Sequence, residues 1–330
     1  MERGRRRLYA PDMDRRPTTR LAPTPSGALH VGNARTFLVN WALARNLGWR
    51  IVLRLEDLDL GRVKAGAHEA TLEDMRWIGV DWDGEPEIQS HDLTPYRAAL
   101  EQLASDGRVF RCDRSRAEIR SAASAPHAED GETRYPPELR PPGPWPRAIA
   151  ASGAGAWEAN HRLRVDPAPE RVRDEFLGDF TFDPGLECGD MVVWTKLGVP
   201  AYQLAVVVDD ARHGVTDVVR GDDLLASAAR QQLIARALGI AHARWWHVPL
   251  VYGDDGKRLA KRRGSHSLAA MRDTGVSAER VIGWCARSLG LGADRALSSR
   301  EFLARATPDA LRAAMPRLCA QPTVYREGDA

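Results

Sequence analysis

Apolar and polar positions in the first third of the chain switch between two periods. Residues 20–24 read as a short strand, stopped by the turn signal Pro25-Ser26-Gly27. Residues 30–47 repeat at helical spacing, with Ala34, Phe37, Leu38, Trp41, Ala42 and Leu43 near one face and Gly48 placed to end the helix. Residues 51–55 form an apolar run broken only by Arg54, and it delivers the acids Glu56, Asp57 and Asp59 at its end. Helical periods follow over 67–78 and 93–104. Alternating strand and helix is the pattern of a parallel sheet with crossover helices.

The alternation then lapses. Residues 114–160 hold six prolines between Pro136 and Pro146, and no long regular element fits there. Alternation returns with a strand over 190–196, a helix over 200–209 and a strand over 216–220. A long helix over 222–238, with Asp222 as its N-cap, and a strand over 246–252 come next. The last third reads as helices only, over 276–289 and 298–317. Ser298-x-x-Glu301 is a capping-box pattern, and Thr307-Pro308 marks a second helix start. The expected fold is α/β, a Rossmann-like parallel sheet with an insertion and a small helical C-terminal region. The expected parts are a polar lead-in over 1–18, two sheet halves over 19–110 and 188–265, an insertion over 111–187 and helices over 266–330.

Composition narrows the classes. No apolar run approaches the ~18 residues of a membrane span. The basic first residues lack the apolar core of a signal peptide. Four cysteines without repeating spacing argue against a disulfide framework and for a cytoplasmic setting. The net charge of +2 does not announce a nucleic-acid partner. The split between cations says more. Only four of the 47 basic residues are lysines, and two of these, Lys257 and Lys261, lie in the glycine-flanked segment Gly256-Lys257-Arg258-Leu259-Ala260-Lys261-Arg262.

Two segments suggest phosphate chemistry. In Gly27-Ala28-Leu29-His30-Val31-Gly32-Asn33, glycines allow close backbone approach and a helix N-terminus offers N–H groups. His30 either donates to a phosphate oxygen there or simply caps the helix. The lysine segment either closes over a polyphosphate, stabilising charge as it develops, or is a solvated turn.

Together these segments resemble the class I aminoacyl-tRNA synthetases. His30-Val31-Gly32-Asn33 is similar to their first signature, His-Ile-Gly-His, with Asn last. Arg258-Leu259-Ala260-Lys261-Arg262 is similar to the second, Lys-Met-Ser-Lys-Ser, with Arg258 in the first place. Arg20-Leu21-Ala22-Pro23-Thr24, Arg54-Leu55-Glu56-Asp57-Leu58-Asp59, 201–210 and 219–225 resemble the glutamyl branch. Only 69 residues follow Lys261, too few for the helical anticodon-binding domain of full-length members. The expectation is therefore the short paralogue of that branch. It activates L-glutamate with ATP without needing tRNA, then attaches glutamate to the queuosine base at the wobble position of tRNA(Asp). Rival readings are a ligase charging a tRNA 3′ end, a non-catalytic tRNA-binding paralogue and a small-molecule nucleotidyltransferase.

The resemblance also implies residue roles. His30 and Lys261 are the expected catalytic pair, and His30, Gly32, Asn33, Arg258 and Lys261 bind ATP, which carries Mg²⁺. Arg20, Leu21, Ala22, Pro23, Thr24, Glu56, Tyr202 and Arg220 bind glutamate, with the two arginines on its carboxylates in either order. Glu56 holds the ammonium or pairs with Arg54 or Arg62. The family's structural zinc uses Cys-x-Cys and a later Tyr-x-x-x-Cys. Here Cys112 and Tyr135 remain, but Arg114 and Leu139 occupy the other positions, so zinc is expected to be absent and prolines to stiffen the insertion. The protein is expected to be a monomer with no membrane contact.

Overall fold

The computed structural model describes residues 16–122, 134–153, 155–259, 267–326 and 328–330. Most of the lead-in expected over 1–18, and Lys261 with its neighbours, lie outside the described residues.

The first half runs β1 (Thr18–Leu21), α1 (Val31–Asn46), β2 (Arg50–Leu55), α2 (Ala67–Trp77), β3 (Glu87–Ile88), α3 (Thr94–Ser105) and β4 (Val109–Cys112). Then come α4 (Arg116–Ala122), β5 (Asn160–Leu163), β6 (Glu170–Asp174), β7 (Gly178–Phe182), α5 (Pro184–Glu187) and β8 (Met191–Trp194). The second half has α6 (Tyr202–His213), β9 (Asp217–Gly221), α7 (Leu225–Leu238), β10 (Arg244–Val248) and β11 (Val251–Gly253). The chain closes with α8 (Leu268–Asp273), α9 (Ala278–Ser288), α10 (Ser299–Arg305), α11 (Pro308–Ala320) and β12 (Thr323–Tyr325).

Two rows of strands make the main sheet. One runs β1-β2-β3 and the other β7-β6-β10-β9, parallel except for β7. They meet where Thr216 N donates to Thr18 O at 2.8 Å, which sets β9 beside β1. Strand order thus reverses between β1 and β9, and the sheet is Rossmann-like. In open α/β sheets such a reversal leaves a crevice at the carboxyl ends of the strands.

The core explains which helices form. Leu38, Val39 and Leu43 of α1 pack with Ile282, Phe302 and Leu311 of the C-terminal helices. Burying each such side chain contributes ~1.5–3 kcal/mol. A second core joins Leu100 and Leu103 of α3 to Leu163, Val193, Leu204 and Ile234. The expected caps form: Ser298 and Glu301 make a capping box, and Thr307 accepts from Ala310 N.

Several details differ from the sequence-based expectation. β8 lies in an antiparallel sheet with β4 and β5, not in the main sheet. The β6–β7 hairpin, read as part of the insertion, extends the main sheet. The strand expected over 246–252 breaks into β10 and β11 around Pro249, which has no N–H to donate. Asp222 does not cap α7; it opens a short 3₁₀ turn, and its Oδ1 accepts from Leu250 N at 3.1 Å. A short strand, β12, pairs in parallel with β11 after the last helix.

Candidate active site

A cavity of about 360 Å³ opens at the reversal point. Its walls include Arg20, Ala22, Pro23, Thr24, His30, Gly32, Asn33, Glu56, Tyr202, Arg220 and Arg258. Leu21, the other described residue of the expected set, points into the core instead and is fully buried.

The first loop supplies a helix start. His30 caps α1: its Nδ1 accepts from Asn33 N at 3.4 Å, while Asn33 Oδ1 accepts from His30 N at 3.1 Å. A ring accepting at Nδ1 carries its proton on Nε2. Capping therefore orients His30 as a donor, so its two expected roles are compatible. Gly32 makes room for the ring, since a Cβ there would stand 3.1 Å from His30 Cε1 and Nδ1.

Glu56 is set beside the end of β1 by its N–H, which donates to Pro23 O at 3.0 Å. Its carboxylate is not open on all sides. Arg54 Nη2 donates to Glu56 Oε1 at 2.9 Å, and Arg54 Nη1 to Asp210 Oδ1 at 2.7 Å. Arg62 pairs with Asp59. Asp210 also stands 3.6 Å from Arg20 Nε, and Asp209 accepts from Gln89 and Tyr96. Burial raises the pKa of Glu56 and Asp209, and Arg54 opposes that rise in both. This buried cluster of Arg54, Asp209 and Asp210 goes beyond the sequence-based expectation. Its sequence signal is a charge inside the apolar run 51–55 and a pair of acids ending the apolar stretch 204–208.

Both arginines are fixed. Arg20 Nη1 donates to Val219 O at 3.1 Å. Arg220 donates from Nε to His247 Nε2 at 3.0 Å, from Nη1 to Gln231 Oε1 at 2.8 Å and from Nη2 to Leu224 O at 3.0 Å. Tyr202 begins α6 and is 40% exposed, so its ring forms an accessible wall.

On the far side, Arg258 forms an ion pair with Asp223, Nη1 to Oδ2 at 2.6 Å. The chain returns at Ser267, which bridges His30, and Leu268 N donates to Leu29 O at 2.8 Å. The described chain on either side of the stretch containing Lys261 is thus anchored beside the cavity.

The expected remnants of a metal site also meet. Cys112 Sγ lies 3.9 Å from Tyr135 Oη, but that hydroxyl donates to Leu139 O, and the Arg162 guanidinium covers the ring at 4.3 Å. One thiol and one phenol beside a cation do not fit a tetrahedral zinc. Among the described residues, no group of three or more His, Cys, Asp or Glu could hold a metal ion. Among them, too, no helix is long and apolar enough to cross a membrane.

Known proteins resemble this chain in sequence and fold. Residues 17–311 match the family described as tRNA synthetases class I (E and Q), catalytic domain. The chain is 42% identical over 291 residues to the glutamyl-Q tRNA(Asp) synthetase of Rhodopirellula baltica, covering 85% of this chain and 88% of that one. It is 44% identical over 281 residues to the protein of the same name from Symbiobacterium thermophilum, covering 82% and 86%. A solved glutamate-tRNA synthetase from Elizabethkingia anophelis has the same fold, with a TM-score of 0.71 at 24% identity. That match covers 88% of this chain and 65% of the solved one.

Proposed function

Because the chain belongs to the class I tRNA synthetases of the glutamate and glutamine group, we propose that it activates L-glutamate with ATP, without tRNA, and transfers glutamate to the queuosine base of tRNA(Asp). One observation carries the activation step. A single cavity at the strand-order reversal is lined by two buried arginines, an acid and a helix start capped by histidine. Glutamate needs cations on two sides and an anion on the third. The transfer step draws on the relatives that share 42–44% identity.

The chemistry is an in-line displacement. A glutamate α-carboxylate oxygen attacks the α-phosphorus of ATP. The bond to the β-phosphate breaks, pyrophosphate leaves, and glutamyl-adenylate remains. Attack by the queuosine base on the activated carbonyl then expels AMP. ATP enters as its Mg²⁺ complex, the metal travelling with the substrate. Little covalent work falls to side chains, so positioning and charge neutralisation dominate. In this reading Arg20 and Arg220 hold carboxylates, and Glu56 uses its remaining acceptor capacity for the ammonium. Tyr202 walls the pocket. His30 Nε2–H and the α1 start hold phosphates, and Lys261 meets the charge that develops as pyrophosphate departs. On this reading the protein works as a monomer in the cytoplasm, where these substrates occur.

The deciding experiment compares glutamate transfer to queuosine-bearing and queuosine-free tRNA(Asp). A strict requirement for queuosine is expected. Charging of the 3′ end irrespective of queuosine would overturn the transfer assignment, and failure of glutamate-dependent ATP–pyrophosphate exchange would overturn the activation step.

A further inference from the structure

We propose that Asp174 and His247 form a buried relay that fixes the Arg220 guanidinium, making both positioning residues for the amino-acid substrate. The inference rests on Arg220 binding glutamate, as read above.

The argument starts from donors. Arginine has only N–H donors, five of them, and no acceptor. Its Nε donates to His247 Nε2 at 3.0 Å, so in this arrangement that nitrogen presents a lone pair to Arg220 in competition with the Leu224 carbonyl, which favours a proton on the ring. A histidine does so only when neutral with its proton on Nδ1. Asp174 holds the ring proton on Nδ1, and burial, working against the carboxylate's pull, keeps the ring neutral. Its Oδ2 lies 2.6 Å from His247 Nδ1 and accepts from His247 N at 3.0 Å. Its Oδ1 accepts from Phe176 N at 3.0 Å and Leu177 N at 2.9 Å. Every partner of the carboxylate is an N–H, so it can take only a donor from the ring. Both side chains are fully buried, and burial holds the His247 pKa below its ordinary value. A protonated ring would set Nε2–H against Arg220 Nε–H.

The relay leaves Arg220 prepared for a ligand. Three of its five N–H groups are held by His247, Gln231 and Leu224 O, and Trp245 lies against the guanidinium at 4.9 Å. Two N–H groups remain for a carboxylate, on a plane that cannot turn without breaking the bond to His247. The relay also gives the β6–β7 hairpin a role. β6 meets β10 through the single pair Trp245↔Asp174, which brings Asp174 beneath His247.

Two measurements on the full chain test this. In protein carrying ¹⁵N-labelled histidine, one buried ring, assigned through His247→Gln, should show the neutral Nδ1–H tautomer. An imidazolium or an Nε2–H signal overturns the relay. Kinetics of glutamate-dependent ATP–pyrophosphate exchange then separate positioning from bulk structure. His247→Leu should raise KM for glutamate about tenfold or more, with KM for ATP changed less than about twofold. His247→Gln, which keeps an acceptor for Arg220, should recover most of that loss. Asp174→Asn, which puts an N–H among N–H donors, should behave like His247→Leu. Parallel rises in both KM values, or no rise in either, overturn the proposal. A variant that does not fold leaves the tautomer signal of the unsubstituted protein to decide. A wild-type chain that exchanges nothing overturns the functional reading, and the tautomer signal still judges the relay.

Discussion

Arg54→Met should destabilise the protein in a pH-dependent way. Arg54 is 1% exposed and lies against Glu56 at 2.9 Å and Asp210 at 2.7 Å, with Asp209 at 3.8 Å. Burial works against its charge, but Asp210, Glu56 and Asp209 outweigh burial, and its pKa is raised. At an effective dielectric near 20, each close pair is worth ~4 kcal/mol gross. Desolvating the guanidinium costs several kcal/mol, so the net loss on breaking the cluster should be ~3–5 kcal/mol. Glu56 and Asp209 supply the pH term. Their folded-state pKa values lie above the unfolded values of ~4.3 and ~3.9. Each contributes stability that is full below the unfolded value and lost as pH rises through the folded one. Without Arg54 the folded values climb further, so the loss spreads to higher pH. The deficit should therefore be small near pH 4–5 and reach ~3–5 kcal/mol at pH 8. Urea unfolding followed by tryptophan fluorescence at both pH values measures it. A deficit under ~1 kcal/mol at pH 8, or one equal at both pH values, would refute the reasoning.

Three further outcomes are expected. Lys261→Ala should keep the fold but lose ~3 kcal/mol or more of transition-state stabilisation, so exchange falls by ~100-fold or more; wild-type-like exchange would sink the assignment of that lysine. Gly32→Ala, whose Cβ would stand 3.1 Å from the His30 ring, should cost ~1 kcal/mol of capping and raise KM for ATP while sparing KM for glutamate. An unchanged KM for ATP would remove His30 from the phosphate site. Metal analysis of purified protein should find substoichiometric zinc, because Arg114 and Leu139 stand where two thiolates would be needed; one zinc per chain would show the reading of 111–139 to be wrong.

Local patterns make the β1–α1–β2 unit, α6 and β9 readable. Each joins an apolar face to a turn or cap a few residues away. The β6 strand is unreadable for a physical reason. Its inward positions are Glu170, Val172 and Asp174, so two of three buried side chains are acids. Glu170 is satisfied by Arg236 and Asp174 by His247, partners distant in sequence. Period-two hydrophobicity cannot reveal a strand whose interior is polar and paired. The short β3 lacks the length for any period. The cavity shows the same division. Its wall residues lie in recognisable motifs, whereas Asp174 and His247 lie outside them and act through contacts that only folding creates.

At the buried positions, arginine rather than lysine follows from what each cation must do. Arg20, Arg35, Arg54 and Arg220 are all buried, and each is held by carbonyls, hydroxyls, carboxylates or a ring nitrogen. A planar fork with five donors can satisfy such partners and still present an edge to a ligand; an ammonium, with three donors on a flexible stem, fits this work poorly. Asp209, Asp210 and Glu56 neutralise cations inside the fold, so the whole-chain sum of +2 neither favours nor opposes an RNA partner. The three described lysines, Lys64, Lys196 and Lys257, all stand outside helices and strands. In the proposed reaction, the charge on glutamate is present when it binds and suits fixed arginines. The charge on departing pyrophosphate develops later and is assigned, in that reading, to the ammonium of Lys261.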